Sequence, residues 1–116
     1  MKVAIIPTDT AEPIRFEETN GGLSEWYRLI DCQTIDIVGL EDGDDSVAMD
    51  LIVDDEALLM NEPALNVRAT ILYRKSVGPE YADQVAIFGT AVAASVDRNG
   101  NTRGLNQKQV RHLEGV

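Results

Sequence analysis

Cysteine and histidine are almost missing from this chain of 116 residues, with Cys32 and His112 the only examples. One cysteine excludes an intrachain disulfide. One cysteine and one histidine cannot supply the three or four nitrogen and sulfur ligands of a usual zinc site. Basic residues are also scarce. Ten Lys and Arg stand against twenty Asp and Glu, for a net charge of −10. A field of that sign repels phosphate backbones and anionic membrane surfaces, which excludes DNA binding by a broad basic face. No run approaches the roughly 20 apolar residues of a membrane span. The short apolar start is interrupted by Asp9 before a secretory signal could form. A reducing cytoplasm is therefore the expected compartment. Several motifs are absent as well: the phosphate-cradling G-x-x-x-x-G-K-[ST], the dinucleotide fingerprint G-x-G-x-x-G, and the nucleophile elbow G-x-S-x-G.

What is present suits one small folded domain. The apolar fraction of 44% is close to the globular average. A chain of this length buries roughly two-thirds of its unfolded surface, enough for one core without staples. No repeat, linker or low-complexity tract divides residues 1–116.

Lys2–Ile6 is a short apolar run stopped by Pro7 and reads as a buried strand. Ile14 and Phe16 alternate with Arg15 and Glu17, a half-buried strand over Pro13–Glu18. Leu23, Trp26, Tyr27 and Ile30 recur at helical spacing, so a first helix should press Trp26 and Ile30 onto a sheet. Thr34–Leu40 and Ser46–Val53 alternate with period two around the acidic turn Glu41-Asp42-Gly43-Asp44-Asp45. They are expected to form an antiparallel hairpin with Ile35, Ile37, Val47, Met49 and Leu51 inside. A further short strand is expected at Ala57–Met60. Val67–Lys75 carries mixed signals. Val67, Thr70, Ile71 and Tyr73 favour a strand, but Asn66 is a good helix N-cap, and a helix is expected here. Val85–Val96 is apolar on both sides and reads as a central strand, with Gly89 marking a bulge or close approach. Asn106 with Gln109 three residues on is a capping box for a last helix, and Gly115 closes it. The fold class is α+β: a mostly antiparallel sheet of about four to six short strands, with two to three helices in a single layer on one face.

The residues that carry chemistry are few. His112 falls in the last turn of the final helix, where a cation suits the helix dipole. Cys32 reads as a structural thiol. Calcium loops of EF-hand type fail in both acidic frames: from Asp42, position six is Val47 and position twelve is Val53, and from Asp97 they are Thr102 and Lys108. The carboxylates Glu41, Asp42, Asp44, Asp45, Asp54, Asp55 and Glu56 read as solvated hairpin ends. Adjacent strand residues face opposite ways, so Asp54-Asp55 makes no catalytic dyad. One candidate binding site remains. Asn66 would cap a helix whose first amides point outward, with Arg68 and Thr70 in the first turn, an anion site in outline. No metal, cofactor or catalytic residue is expected.

The order of these pieces resembles a known family. The pieces are Lys2-Val3-Ala4-Ile5-Ile6-Pro7, Leu23-x-x-Trp26 with Ile30, Ile35-Asp36-Ile37-Val38, a strand pair over an acidic turn, Asn66-x-Arg68-Ala69-Thr70, and an apolar segment with a central glycine. They resemble the family known as domain of unknown function 3846, small proteins of actinobacteria and of their phages and plasmids. Such proteins usually carry two glycines after the first helix, where this chain has Asp31-Cys32. The resemblance implies no reaction. It implies an accessory protein of a phage or mobile element, in the host cytoplasm if phage-encoded. The expected function is therefore non-enzymatic, through contact with a host or phage protein, and self-association into a homo-oligomer is compatible with it. Two alternatives are a small-molecule binder for a nucleotide-type anion, using Arg68, Arg74 and Lys75, and an acidic mimic of DNA.

Overall fold

Val3, Ala4, Ile5 and Ile6 are all fully buried, and a strand can hide four consecutive side chains only if both faces of its sheet are covered. In a computed structural model, which describes residues 1–40, 48–60 and 62–116, this strand is β1 (Lys2–Ile6). It is followed by β2 (Arg15–Glu18), α1 (Leu23–Ile30), β3 (Ile35–Leu40), β4 (Met49–Asp54), α2 (Val67–Val77), β5 (Ala91–Val96), β6 (Thr102–Arg103) and α3 (Gln107–Glu114). The sheet order is β2-β1-β5-β4-β3, with β6 beside the end of β5, and every pairing among the described residues is antiparallel. The α+β class with an antiparallel six-stranded sheet and three helices agrees with the sequence.

The single helical layer is corrected. Residue parity along the strands sorts the core into two clusters. Val3, Ile5, Ile52, Val92 and Ala94 meet Trp26, Leu29 and Ile30 of α1. Ala4, Ile6, Met49, Leu51 and Ala93 meet Ala69 and Leu72 of α2 and Leu113 of α3. The helices thus lie on both faces, and the sheet is the middle layer. Alternation fails in β1 and β5 because neither face is wet.

The hairpin expected at Thr34–Val53 is present as β3 against β4, with Ile37 opposite Ile52 and Leu40 opposite Met49. Its acidic turn, with Val47, lies outside the described residues. Met49 and Leu51 are buried as expected, but Ile37 is 53% exposed. The reason is the reach of α1. Its eight residues pack mainly on β4 and β5; on β3 the cluster reaches Ile35, which is half-buried, and leaves Ile37 open. On this sheet edge the Ile37 N–H donates to the side chain of its neighbour Asp36 at 2.9 Å.

Two other expectations change. Ala57–Met60 is not a strand: Ala57–Leu59 forms a 3₁₀ turn, started where Asp54 Oδ1 accepts the Glu56 N–H at 2.9 Å. The apolar segment Val85–Val96 is a strand only from Ala91, because Gly89 adopts φ +81° and turns the chain. Ahead of that turn only a lone bridge joins Phe88 to Leu65. The stripe of α1 buries Trp26, Leu29 and Ile30, while Leu23 is exposed. Asp31 ends α1 in the left-handed region (φ 60°), the position a glycine would favour, and the Cys32 N–H returns to the Tyr27 carbonyl at 3.2 Å. The capping box of α3 is formed in both directions between Asn106 and Gln109. At Gly104 the chain leaving β6 squeezes past the start of β1. A Cβ there would stand 3.0 Å from the Lys2 nitrogen.

Candidate functional site

Asn66 caps α2 as the sequence predicts. Its Oδ1 accepts the Ala69 N–H at 3.1 Å. The same fully buried side chain also donates from Nδ2 to the carbonyls of Ile6, at 2.8 Å, and Gly89, at 2.9 Å. Two residues further on, Arg68 Nη2 donates to the carbonyls of Pro7, at 3.1 Å, and Asp9, at 3.0 Å. Thr70 Oγ1 accepts the Ile87 N–H at 2.9 Å. The structure brings the three predicted residues together on one turn of helix. There their side chains tie α2 to the chain leaving β1 and to the segment ahead of β5. Arg68 Nε is buried without a hydrogen-bond partner among the described residues. Arg74 and Lys75 lie further along α2, both exposed, with Arg74 Nε donating to the Val85 carbonyl at 3.3 Å.

A cavity of about 260 Å³ opens at the C-terminal end of α1. Its lining includes Ile30 and Asp31 at the end of α1, Asp54 at the end of β4, Ala57 and Met60 around the 3₁₀ turn, Glu62 to Ala64 in the loop before α2, Thr8 after β1 and Thr90 before β5. Gly89 also lines it, and a Cβ there would stand in van der Waals contact with Ala57 Cβ at 3.5 Å. No Lys, Arg or His stands among the described residues that line it. The turn that supplies Ala57 and Met60 also carries Leu58 and Leu59 to the surface. Leu58 is 65%, Leu59 81% and Met60 63% exposed, three consecutive large apolar side chains in water.

The electrostatics are those of an acidic surface. Burial pushes the Cys32 thiol up, and the nearby charges of Asp54 and Asp31 add to that, so the free thiol is a poor nucleophile at neutral pH. Burial also raises the Asp50 carboxyl on β4. Asp97 is held below its ordinary value by the Asn101 backbone first, with the Arg103 side chain and the Asn99 backbone assisting. Its carboxylate closes the turn between β5 and β6, accepting the N–H groups of Asn99 and Asn101 at 2.9 Å each. His112 lies in the last turn of α3 as expected. Among the described residues no three His, Cys, Asp or Glu stand together as a metal-binding group. No helix there is long and apolar enough to cross a membrane.

The cavity residues escaped the reading of the sequence. Asp55 and Glu56 are exposed as expected, Asp54 is half-buried instead, and nothing marked Asp31 or Glu62 as their neighbours. The one available signal was Leu58-Leu59-Met60, an apolar triplet between acidic residues that a half-buried strand does not require. A family model described as domain of unknown function (DUF3846) matches residues 1–115. No curated protein and no solved structure matches the chain.

Proposed function

Because the chain belongs to the DUF3846 family over essentially its whole length, a family whose description names no reaction, we propose from its surface that it is a non-enzymatic accessory protein. It works by docking another protein against the 57–60 turn and the cavity beside it. The observation that carries this reading is the exposure of Leu58, Leu59 and Met60 on one short turn, of which Met60 also lines the cavity. Scattered single apolar residues on a surface need no explanation, but three large exposed ones in succession beside a cavity residue suit a contact site. The anion reading of Asn66, Arg68 and Thr70 is set aside, since their hydrogen bonds serve contacts inside the chain. A photocrosslinking residue in place of Leu59, expressed in the native host, tests the proposal. The expected result is a discrete protein adduct that is missing when the same group replaces Tyr81, an exposed side chain between α2 and β5 that does not line the cavity. Absence of any adduct from position 59 would refute it.

A further inference from the structure

Asp31, Asp54 and Glu62 share one small cavity, and whatever docks over it must deal with three carboxylates. We propose that the docked partner is a basic protein segment. One lysine or arginine side chain of that segment enters the cavity toward Asp31, Asp54 and Glu62, and apolar residues beside it pack on Leu58, Leu59 and Met60. This inference rests on the protein-docking reading above and specifies the chemistry of the partner.

Size favours a side chain over a free metabolite. Pockets for small molecules span roughly 300–1,000 Å³, and this one holds about 260 Å³. The lining favours a long cationic side chain in particular. Ala57, Met60, Pro63 and Ala64 supply apolar wall for a methylene stem, and the acids supply the end for its charge. Asp54 already accepts the Glu56 N–H through Oδ1, and its other oxygen accepts no hydrogen bond from the described residues.

The wider charge distribution points the same way. Residues 1–66 hold sixteen of the twenty acids and three of the ten Lys and Arg. All three cavity acids belong to this strongly negative part of the chain. Covering them with an apolar or acidic surface would bury unpaired like charges, which is costly, whereas a basic segment is drawn in by the field and paired on arrival.

Two-dimensional amide NMR on the ¹⁵N-labelled protein reads the outcome. The probes are blocked hexapeptides with a central lysine flanked by leucines, the same peptide with N-acetyl-lysine, the same with glutamate, and spermidine. The lysine peptide should move the amides of Asp31, Ala57, Ala64 and Gly89 in a saturable way. Acetylation should weaken binding about fivefold or more for the loss of partly screened charge pairs, and added salt should weaken the lysine peptide alone. The double variant Asp31→Asn/Glu62→Gln keeps a residue suited to the left-handed position and should lose most of the preference for the lysine over the acetyl-lysine peptide. Equal binding of lysine and acetyl-lysine peptides, no binding of either, or shifts of these amides by spermidine as strong as by the peptide would each overturn the inference. A protein adduct at Leu59 would still stand in those cases. Loss of that adduct would remove the docking reading and this inference together.

Discussion

Replacing Asn66 separates the roles its side chain combines. In Asn66→Ala the Ala69 N–H loses its cap, a loss of about 1 kcal/mol. The carbonyls of Ile6 and Gly89 lose a donor in a dry place, at about 1–3 kcal/mol for each polar group left unmatched. The expected total is about 3–7 kcal/mol. A domain of 116 residues at roughly 0.05–0.15 kcal/mol each holds about 6–17 kcal/mol, so the variant folds with a sharply lowered midpoint. Asn66→Ser keeps a cap acceptor and loses only the two donors, and should recover about 1 kcal/mol over alanine. Asn66→Asp is the discriminating case. It keeps the cap oxygen but aims a second carboxylate oxygen at two carbonyls. Burial and that repulsion raise its folded pKa above the unfolded value, so the penalty is present at neutral pH and relieved as pH falls through the folded value. Urea denaturation at pH 7 and pH 4.5, followed by tryptophan fluorescence, should rank wild type, serine, alanine and aspartate in falling order at pH 7. The aspartate variant should gain on wild type at the lower pH. An aspartate variant as stable as wild type at pH 7, or an alanine loss under about 1 kcal/mol, would refute the double-donor role.

Other outcomes follow from the same geometry. Trp26→Ala should cost about 3–5 kcal/mol in denaturant titrations, as for an aromatic deleted from a packed core. Thr70→Val keeps the shape, strands the buried Ile87 N–H, and should cost about 1–3 kcal/mol by the same measurement. Gly104→Ala pushes a methyl against the Lys2 backbone and should cost about 1–3 kcal/mol, read as a lowered thermal midpoint. Glu25, held down first by the Arg28 side chain and then by Thr19, and Asp97 both have depressed folded values. Their contribution is present above the unfolded carboxyl range and is lost as pH falls through the folded values, so Asp97→Asn should lower the midpoint at pH 7 and converge on wild type in acid. Asp50 has the opposite sign: Asp50→Asn should raise the midpoint at neutral pH, an advantage that fades as pH falls through the raised folded value.

Local signals in the sequence were strong enough to place most elements. Asn66 and the Asn106–Gln109 pair specify helix starts through hydrogen bonds within one turn, so they act regardless of what packs nearby. The helical spacing of Trp26 and Ile30 and the period-two pattern of Met49 and Leu51 gave the buried sides for the same reason. What escaped depends on contacts far apart in the chain. Ile37 is exposed because α1 stops short of it, and Leu29 replaces Leu23 in the core because of how α1 lies on β5. Arg68 reaches carbonyls 59 and 61 residues away, a partnership no spacing rule contains. The two helical layers were implied by unbroken apolar runs in β1 and β5, but assigning a helix to each face needed the topology. The cavity joins Asp31 to Glu62 only after the sheet has brought α1 beside the loop before α2.

The hydrogen bond from the Ile37 N–H to Asp36 also bears on how these molecules behave in a crowd. An outer strand offers a ladder of backbone groups to any extended chain that comes alongside, and β3 carries an uncovered isoleucine as well. By hooking its own side chain over that amide, Asp36 occupies one rung of the ladder and plants a charge where an incoming strand would lie. Two copies meeting edge to edge would have to unhook two such bonds and bring two carboxylates together in the seam. This edge of the sheet thus carries a carboxylate where a second copy would have to pair, which disfavours edge-to-edge stacking through β3.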